Sequence, residues 1–265
     1  MNKGRVNSIK KVTADCYLLK LEPALPLKAS PGQFIFIRTA EMTDPLLRRP
    51  FSIHYCDPEG RTVWILFRVV GRGTSLMAAL TAGDTVDYIG PLGTGFHLGP
   101  DDREVILVSG GVGLAPLFYW ASHLHERGVA FDFLHGADTE KNLLPADYFI
   151  RTGSVPMVAT EDGTSGYKGR VTDLFELIVN KKARKADRLY ACGPLPMLSS
   201  LVRSARKAGI PSQVSLEAEM ACGVGACLGC VCEIGPRSEK GAANYRRVCK
   251  DGPVFPGEAV IFDES

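Results

Sequence analysis

Four cysteines toward the C-terminal end carry the most specific chemistry in the sequence. Cys222, Cys227 and Cys230 lie in the stretch Glu219-Met220-Ala221-Cys222-Gly223-Val224-Gly225-Ala226-Cys227-Leu228-Gly229-Cys230, a C-x4-C-x2-C spacing, and Cys249 follows after residues 231–248. Four thiolates gathered by one tight loop and one later segment can hold a metal centre. The spacing is that of a plant-type [2Fe–2S] site rather than the C-x2-C-x2-C run of bacterial four-iron ferredoxins. A four-cysteine zinc site usually draws on two close pairs, and three residues beyond Cys249 stands Gly252. A disulfide scaffold needs an oxidising compartment. Cys232, two residues past Cys230, is a substitute ligand or a packing residue beside the centre. Glycines 223, 225 and 229 alternate with the cysteines, and small residues there let backbone N–H groups approach the sulfurs and stabilise their charge. Cys16 and Cys56 fall in or beside apolar strands and read as small buried side chains.

Two further constellations lie upstream. Arg49-Pro50-Phe51-Ser52-Ile53 sets a cation, a rigid corner, an aromatic and a hydroxyl at the start of a strand. Alternation puts Arg49, Phe51 and Ile53 on one face and Ser52 on the other, unless a kink at Pro50 lets all of them line one groove. Gly71-Arg72-Gly73-Thr74-Ser75 is a glycine turn opening a helix, where free N–H groups and the positive dipole end attract phosphate. In ordinary proteins the same residues serve as a surface cation, a core aromatic and a helix cap. Further on, Gly110-Gly111-Val112-Gly113 follows a buried apolar strand and matches G-x-G of a dinucleotide fingerprint, with Pro116 at the third glycine position; a plain strand–helix turn reads the same way. Cys192-Gly193-Pro194 ends a later strand, on the side where open α/β sheets bind ligands. Asp138, after the second strand of that region, accepts from a ribose hydroxyl and repels a 2′-phosphate, which favours NAD(H) over NADP(H). Lys141 is the residue that argues the other way.

The elements that must position these groups fall into three stretches. Over residues 4–98 short apolar or β-branched runs alternate with turns: Arg5–Val12, Cys16–Leu21, Phe34–Arg38, Phe51–Tyr55, Val63–Val69 and Thr85–Ile89 read as strands, with a helix-like insert at Thr74–Leu80. Many strands at this spacing suggest a small antiparallel barrel. From Arg103 the pattern changes to strand–helix pairs: Val105–Ser109 with Ala115–Arg127, Phe131–His135 with Ala146–Ile150, Pro156–Thr160 with Val171–Asn180, and Arg188–Cys192 with Met197–Lys207. Such alternation argues a parallel, doubly wound sheet. Gln213–Leu216 leads into the cysteine loop, and Pro253–Phe262 ends the chain as a turn and strand. The expected fold class is thus α/β plus β, with domains at 1–100, 101–211 and 212–265.

Bulk properties restrict the function classes. The chain has 265 residues, 45% hydrophobic and 23% charged, with a formal net charge of +2; this length suggests two or three domains, and the charge gives no footing for nucleic-acid binding. The basic N-terminus lacks the apolar core of a signal peptide, and no apolar run reaches the ~18 residues of a membrane span. A cytoplasmic location is the expectation, and there clustered cysteines serve as metal ligands or redox groups.

Together and in this order, Arg49-Pro50-Phe51-Ser52 and Gly73-Thr74 resemble the Arg-x-Tyr/Phe-Ser and Gly-Thr motifs of the ferredoxin-reductase family of flavoproteins. Gly-Gly-x-Gly-x-x-Pro followed far downstream by Cys-Gly-Pro is similar to the nicotinamide domain of the same family. The resemblance implies that residues 1–100 form an FAD-binding barrel. Arg49 and Pro50 would lie at the FAD pyrophosphate, Phe51 against the isoalloxazine and Ser52 near flavin N5. Leu66, Phe67 and Arg68 would give backbone contacts, and Gly73-Thr74 would bind pyrophosphate. It further implies an NAD-binding second domain in which Gly110, Gly111 and Gly113 approach the dinucleotide. Cys192 and Gly193 would then stand at the nicotinamide–flavin contact, making Ser52 and Cys192 the expected catalytic residues. Leu216 through Cys230, with Val248-Cys249-Lys250-Asp251-Gly252-Pro253-Val254-Phe255 behind it, closely resembles the electron-transfer subunit family of bacterial NAD-linked dihydroorotate dehydrogenases. That implies Cys222, Cys227, Cys230 and Cys249 as [2Fe–2S] ligands. It also implies an FMN-containing catalytic subunit as partner in a two-plus-two heterotetramer, and a place in pyrimidine synthesis. Two alternatives stay open at this stage: the flavin/iron–sulfur subunit of a sulfide dehydrogenase or ferredoxin:NADP oxidoreductase, and a binding protein that keeps the fold without cofactors.

Overall fold

The structure is a computed structural model that describes residues 2–39, 44–181, 186–235 and 243–262. The first stretch forms β1 (Asn2–Lys11), β2 (Cys16–Pro23), β3 (Phe34–Arg38), β4 (Arg49–Ser52), β5 (Tyr55–Cys56), β6 (Val63–Arg68), the helix α1 (Arg72–Ala78) and β7 (Thr85–Leu92). These strands make one antiparallel sheet in the order β4-β3-β7-β1-β2-β6-β5. The sheet curls until its ends face each other: Phe51 of β4 packs edge-on against Phe67 of β6, ring centroids 5.8 Å apart. Among the described residues no ladder joins β4 to β6, so side chains rather than backbone bonds bring the ends of the expected barrel together.

Strand β3 is apolar at four consecutive positions, Phe34-Ile35-Phe36-Ile37, and all four are buried. A strand covered on one face alternates, whereas one covered on both is continuously apolar. Ile35 and Ile37 enter the core of the first sheet. Phe34 and Phe36 point the other way, toward the cysteine segment.

The second sheet is built from β8 (Glu104–Gly110), β9 (Ala130–Ala137), β10 (Met157–Thr160), β11 (Tyr167–Lys168), β12 (Arg188–Cys192) and β13 (Ser212–Ser215), all parallel, with helices α2 (Leu114–Glu126), α3 (Val171–Lys181) and α4 (Leu195–Lys207). Alternate residues of β8 serve its two faces. Val105 and Leu107 pack with Phe118 and Trp120 of α2, while Ile106 and Val108 pack with Leu198 and Leu201 of α4. After β13 the chain leaves for the cysteine loop and a hairpin of β14 (Val231–Ile234) and β15 (Asn244–Arg247). It then returns as β16 (Val254–Pro256), antiparallel to β13 at the sheet edge. The sheet order is β11-β10-β9-β8-β12-β13-β16, so hydrogen bonding runs on past residue 211 and ties the cysteine segment in at both ends.

Two local elements differ from expectation. Ala146–Thr152 forms a 3-10 turn rather than an α-helix; its buried Phe149 and Thr152 are three apart, which a three-residue turn places on one face. The end of the chain is a short strand followed by the 3-10 turn Gly257–Ala259.

The two sheets share an apolar interface. Cys16, Leu18, Tyr55 and Leu66 of the first join Leu114, Phe118, Trp120 and Tyr190 of the second in one cluster, and the His54 ring stacks on Phe118 with centroids 4.2 Å apart. No helix among the described residues is long and apolar enough to cross a membrane.

Candidate functional site

Backbone N–H groups tie the cysteines of this segment into two pairs. The backbone N–H of Cys227 donates to Cys222 Sγ (3.4 Å), and that of Cys249 donates to Cys230 Sγ (3.4 Å). Gly229 N–H donates to Cys227 Sγ at 3.5 Å. The backbone of Leu228 supports this last contact with a positive φ of 58°, the one such value at a non-glycine residue among those described. Backbone N–H groups from Cys227, then Val224, hold the Cys222 thiol down at about 6, so it is a thiolate at neutral pH. Among the described residues no group of three or more His, Cys, Asp or Glu side chains stands close enough to hold a metal ion, so the structure makes the four cysteines neighbours without closing them into one ligand set. Pairs of sulfurs dressed by N–H groups suit a centre with two irons. Cys232 is half-buried, and burial pushes its thiol up to about 11, which marks it as a neutral thiol beside the centre.

The loop lies against the strand that backs the Arg49–Ser52 motif. Gly223 has φ +69°, and a Cβ placed on it would stand 2.6 Å from Cδ1 of Phe36. Phe36 in turn pairs with Pro50 across β3 and β4. Cys230 and Cys249 are buried in the same cluster as Phe34, Val214 and Phe255.

On the motif itself, alternation overrides the corner at Pro50. Phe51 and Ile53 enter the core of the first sheet, and Ser52 is left half-exposed on the other face. The Phe51 ring is thereby taken up by Phe67. Arg49 and Gly73, far apart in sequence, are brought together: a Cβ on Gly73 would lie 3.5 Å from Arg49 Nε and 3.2 Å from Thr39 Oγ1. The buried Thr39 hydroxyl has no hydrogen-bond partner among the described residues. A cation, an orphaned hydroxyl and a side-chain-free turn form a cradle that fits a pyrophosphate. The Thr74 hydroxyl is engaged within the turn, accepting from Val70 N–H (3.0 Å) and Gly71 N–H (3.2 Å), so Thr74 offers its backbone.

Between the two sheets, at the C-terminal ends of β8, β9 and β12, opens a cleft of about 480 Å³, within the size range of small-molecule sites. The first sheet supplies Asp15, Cys16, Leu66 and Arg68; the second supplies Gly110, Gly111, His135, Asp138, Glu161 and Pro194. The β8 and β12 ends press together, since a Cβ on Gly113 would meet the Cys192 carbonyl oxygen at 2.3 Å. Gly193 packs beside them on Met197. Cys192 is buried, and burial first, then the charge of Glu217, pushes its thiol well above the usual range. Glu217 is open to solvent on one side, yet enough protein surrounds its carboxyl to raise it, with the Arg68 charge opposing. His135 accepts or donates at Nδ1 to the Ser109 hydroxyl (2.9 Å), and burial drives it down to about 4, so it is neutral. Asp138 accepts from Asn142 Nδ2 at 2.7 Å and from Thr139 N–H at 2.9 Å, presenting an oriented carboxylate. Lys141 is not among the residues that line the cleft.

The profile of the iron–sulfur cluster binding domain of dihydroorotate dehydrogenase B matches residues 217–261. The dihydroorotate dehydrogenase B (NAD(+)) electron transfer subunit of Shouchella clausii (strain KSM-K16) is 42% identical over 266 residues, 98% of each chain. The chain belongs to this electron-transfer subunit family. The corresponding subunit of Geobacillus kaustophilus (strain HTA426) is 44% identical over 234 residues, 87% of each chain. Among solved structures, one of NADH-dependent reduced ferredoxin-NADP oxidoreductase, described in connection with flavin-based electron bifurcation, superposes with a TM-score of 0.84. It is 32% identical and covers 98% of this chain and 90% of its own. Membership gives the fold its meaning: a flavin module, a nicotinamide module and an iron–sulfur segment in one chain.

Several residues of the electron-transfer subunit's site carry no local signal. Thr39, Asp15, Glu161 and Glu217 reach it only through long-range packing. His54 is fully buried, its Nδ1 has no hydrogen-bond partner among the described residues, and burial pushes it down to about 3. It is a neutral wedge between modules that no spacing in the sequence announces.

Proposed function

We propose that this chain carries electrons between an FMN-containing catalytic partner, which oxidises dihydroorotate to orotate, and NAD+, with FAD and a [2Fe–2S] cluster as its resident groups. FAD, when bound, handles both hydride pairs and single electrons, joining two-electron nicotinamide chemistry to a one-electron cluster. One observation supports this arrangement above the others: the cysteine loop rests at Gly223 on Phe36, across the ladder from Pro50, so metal ligands and flavin motif share one strand pair.

In this reading Arg49, Gly73 and Thr39 hold the FAD pyrophosphate, with Thr74 adding a backbone N–H. Pro50 and Phe51 root the strand, Phe51 by burying its ring, and Ser52 presents its hydroxyl to the flavin edge. Leu66, Phe67 and Arg68 line the flavin with backbone, and the Arg68 side chain reaches into the cleft. Gly110 and Gly111 line the cleft and let the dinucleotide come close, Gly113 and Gly193 keep the β8 and β12 ends packed behind them, and Asp138 and Glu161 favour a free 2′-hydroxyl over a phosphate. Cys192, a buried neutral thiol at the end of β12, stands behind the residues that line the cleft and supports the nicotinamide end rather than attacking. Cys222, Cys227, Cys230 and Cys249 bind the irons. Around them Val224, Leu228, Val231 and Tyr245 expose apolar surface, suited to the partner's docking face. A two-plus-two heterotetramer in the cytoplasm, acting in pyrimidine synthesis, completes the reading, with functional segments at 1–100, 101–211 and 212–265.

The test is co-purification and assay: the chain is expected to pull down an FMN-containing dihydroorotate dehydrogenase and confer NAD+ reduction on it. The 32% identity to the ferredoxin-NADP oxidoreductase favours a second reading, a subunit of that type. Recovery with a glutamate-synthase-like flavoprotein and no effect on orotate formation would establish it instead. Purified protein without flavin or iron–sulfur absorption would leave only a cofactor-free binding role.

A further inference from the structure

Arg247 is the hub of the segment that carries the fourth cysteine. Its Nε and Nη2 donate to the two carboxylate oxygens of Asp251 at 3.0 and 3.1 Å, and its backbone N–H donates to the same group at 2.9 Å. Its carbonyl accepts the N–H groups of Lys250, Asp251 and Gly252, closing the turn that contains Cys249. The remaining arm reaches back across the chain: Nη1 donates to the carbonyl of Gly225, between Cys222 and Cys227, at 3.1 Å. One planar guanidinium thus spans both parts of the ligand set, a geometry that a lysine ammonium cannot reproduce. Next to it, Val248 N–H donates to the Cys230 carbonyl at 2.8 Å. Arg247 precedes Cys249 by two positions and its Nη1 contact falls between Cys222 and Cys227, so the guanidinium stands beside the ligand set from both sides.

We propose that Arg247 is a positioning residue of the metal centre, locking the Cys249 segment to the Cys222–Cys230 loop, and that its charge, offset by Asp251, sets the centre's affinity for an electron. The proposal rests on the reading of the four cysteines as [2Fe–2S] ligands and is independent of the partner's identity. A reduced cluster carries one more negative charge than an oxidised one, so a nearby cation favours reduction and a nearby carboxylate opposes it. Removing Arg247 and neutralising Asp251 therefore have the same structural effect and opposite electrostatic effects.

The experiment uses the full-length holoprotein as wild type, Arg247→Met, Arg247→Lys and Asp251→Asn. Iron release is followed under EDTA, the cluster midpoint potential by anaerobic titration with electron paramagnetic resonance, and FAD content as a control. R247M and D251N are both expected to release iron about tenfold faster with FAD retained. The R247M midpoint falls, the D251N midpoint rises, and R247K keeps the wild-type midpoint while remaining labile. Should R247M fail to assemble a cluster, D251N and R247K decide, because a midpoint unchanged in D251N overturns the electrostatic role. Wild-type iron release in D251N and R247K overturns the lock, and faster release with unmoved midpoints reduces Arg247 to a merely structural residue. A wild-type protein that itself lacks iron and cluster absorption overturns the ligand reading instead, which keeps the two failures apart.

Discussion

Gly223→Ala is the substitution in which the contact between cysteine loop and flavin module can be weighed most directly. Two costs add at this position. The backbone φ of +69° burdens any L-side chain with about 1–2 kcal/mol. The new methyl would sit 2.6 Å from Cδ1 and 2.9 Å from Cε1 of Phe36, and forcing a methyl into a packed ring costs about 1–3 kcal/mol. Together they reach about 2–5 kcal/mol, roughly 30-fold to several-thousand-fold in the loop-docking equilibrium. None of the residues lining the nicotinamide cleft belongs to the cysteine segment, so NADH should still bleach the flavin at the wild-type rate. Iron release under a chelator should accelerate by about 30-fold or more. Phe36→Leu in the same chain removes the ring edge but leaves the backbone cost, so the double variant should recover only the packing share, a coupling of about 1–3 kcal/mol. Wild-type iron retention in Gly223→Ala, or additive effects in the double variant, would show that the loop does not rest on Phe36.

Replacing Cys249 with Ser should abolish the cluster's visible absorption while FAD stays bound, whereas Cys232→Ser should leave both; the reverse would exchange the two assignments. Asp138→Ser should raise kcat/KM for NADPH relative to NADH by about tenfold, read from steady-state reduction of an artificial acceptor, and an unchanged ratio would remove Asp138 from specificity. The buried His135 is held down at about 4 against an ordinary value of 6.5. The unfolded chain therefore binds a proton first, and stability present above pH 6.5 is lost as pH falls toward 4, by up to about 1.4 kcal/mol per pH unit. Urea midpoints at about pH 7 and about pH 5, which bracket the unfolded value, should differ less in His135→Gln than in wild type, and equal differences would contradict this.

Much of the scaffold was legible because its signals are local. Val105–Val108 is apolar without a break since helices cover both faces of β8, and the cysteine spacing is read without reference to its surroundings. The pattern failed where tertiary pairing decides. The β14–β15 hairpin has no alternation to read, because Ile234 at the end of β14 is its one buried residue. β13 and β16 look like a lead-in and a tail, yet they pair with each other, and β13 with β12, over long sequence distances. At Pro50 the sequence allowed either a common groove or strict alternation, and the apolar core behind β4 drew in Phe51 and Ile53. Arg49, Thr39 and Gly73 form one cradle although ten to thirty-four positions separate them in sequence, and only folding brings Arg247 to Gly225.

Single electrons are expected to cross between the cysteine segment and the flavin module on their way to or from nicotinamide. The most direct test of that crossing is dihydroorotate-dependent NAD+ reduction by this chain mixed with its FMN-containing partner, comparing wild type with a variant lacking the Cys249 thiol. NAD+ should be reduced only when both chains are present, and the variant should lose that activity while still passing electrons from NADH to ferricyanide. NAD+ reduction at the wild-type rate without the Cys249 thiol would contradict the claim.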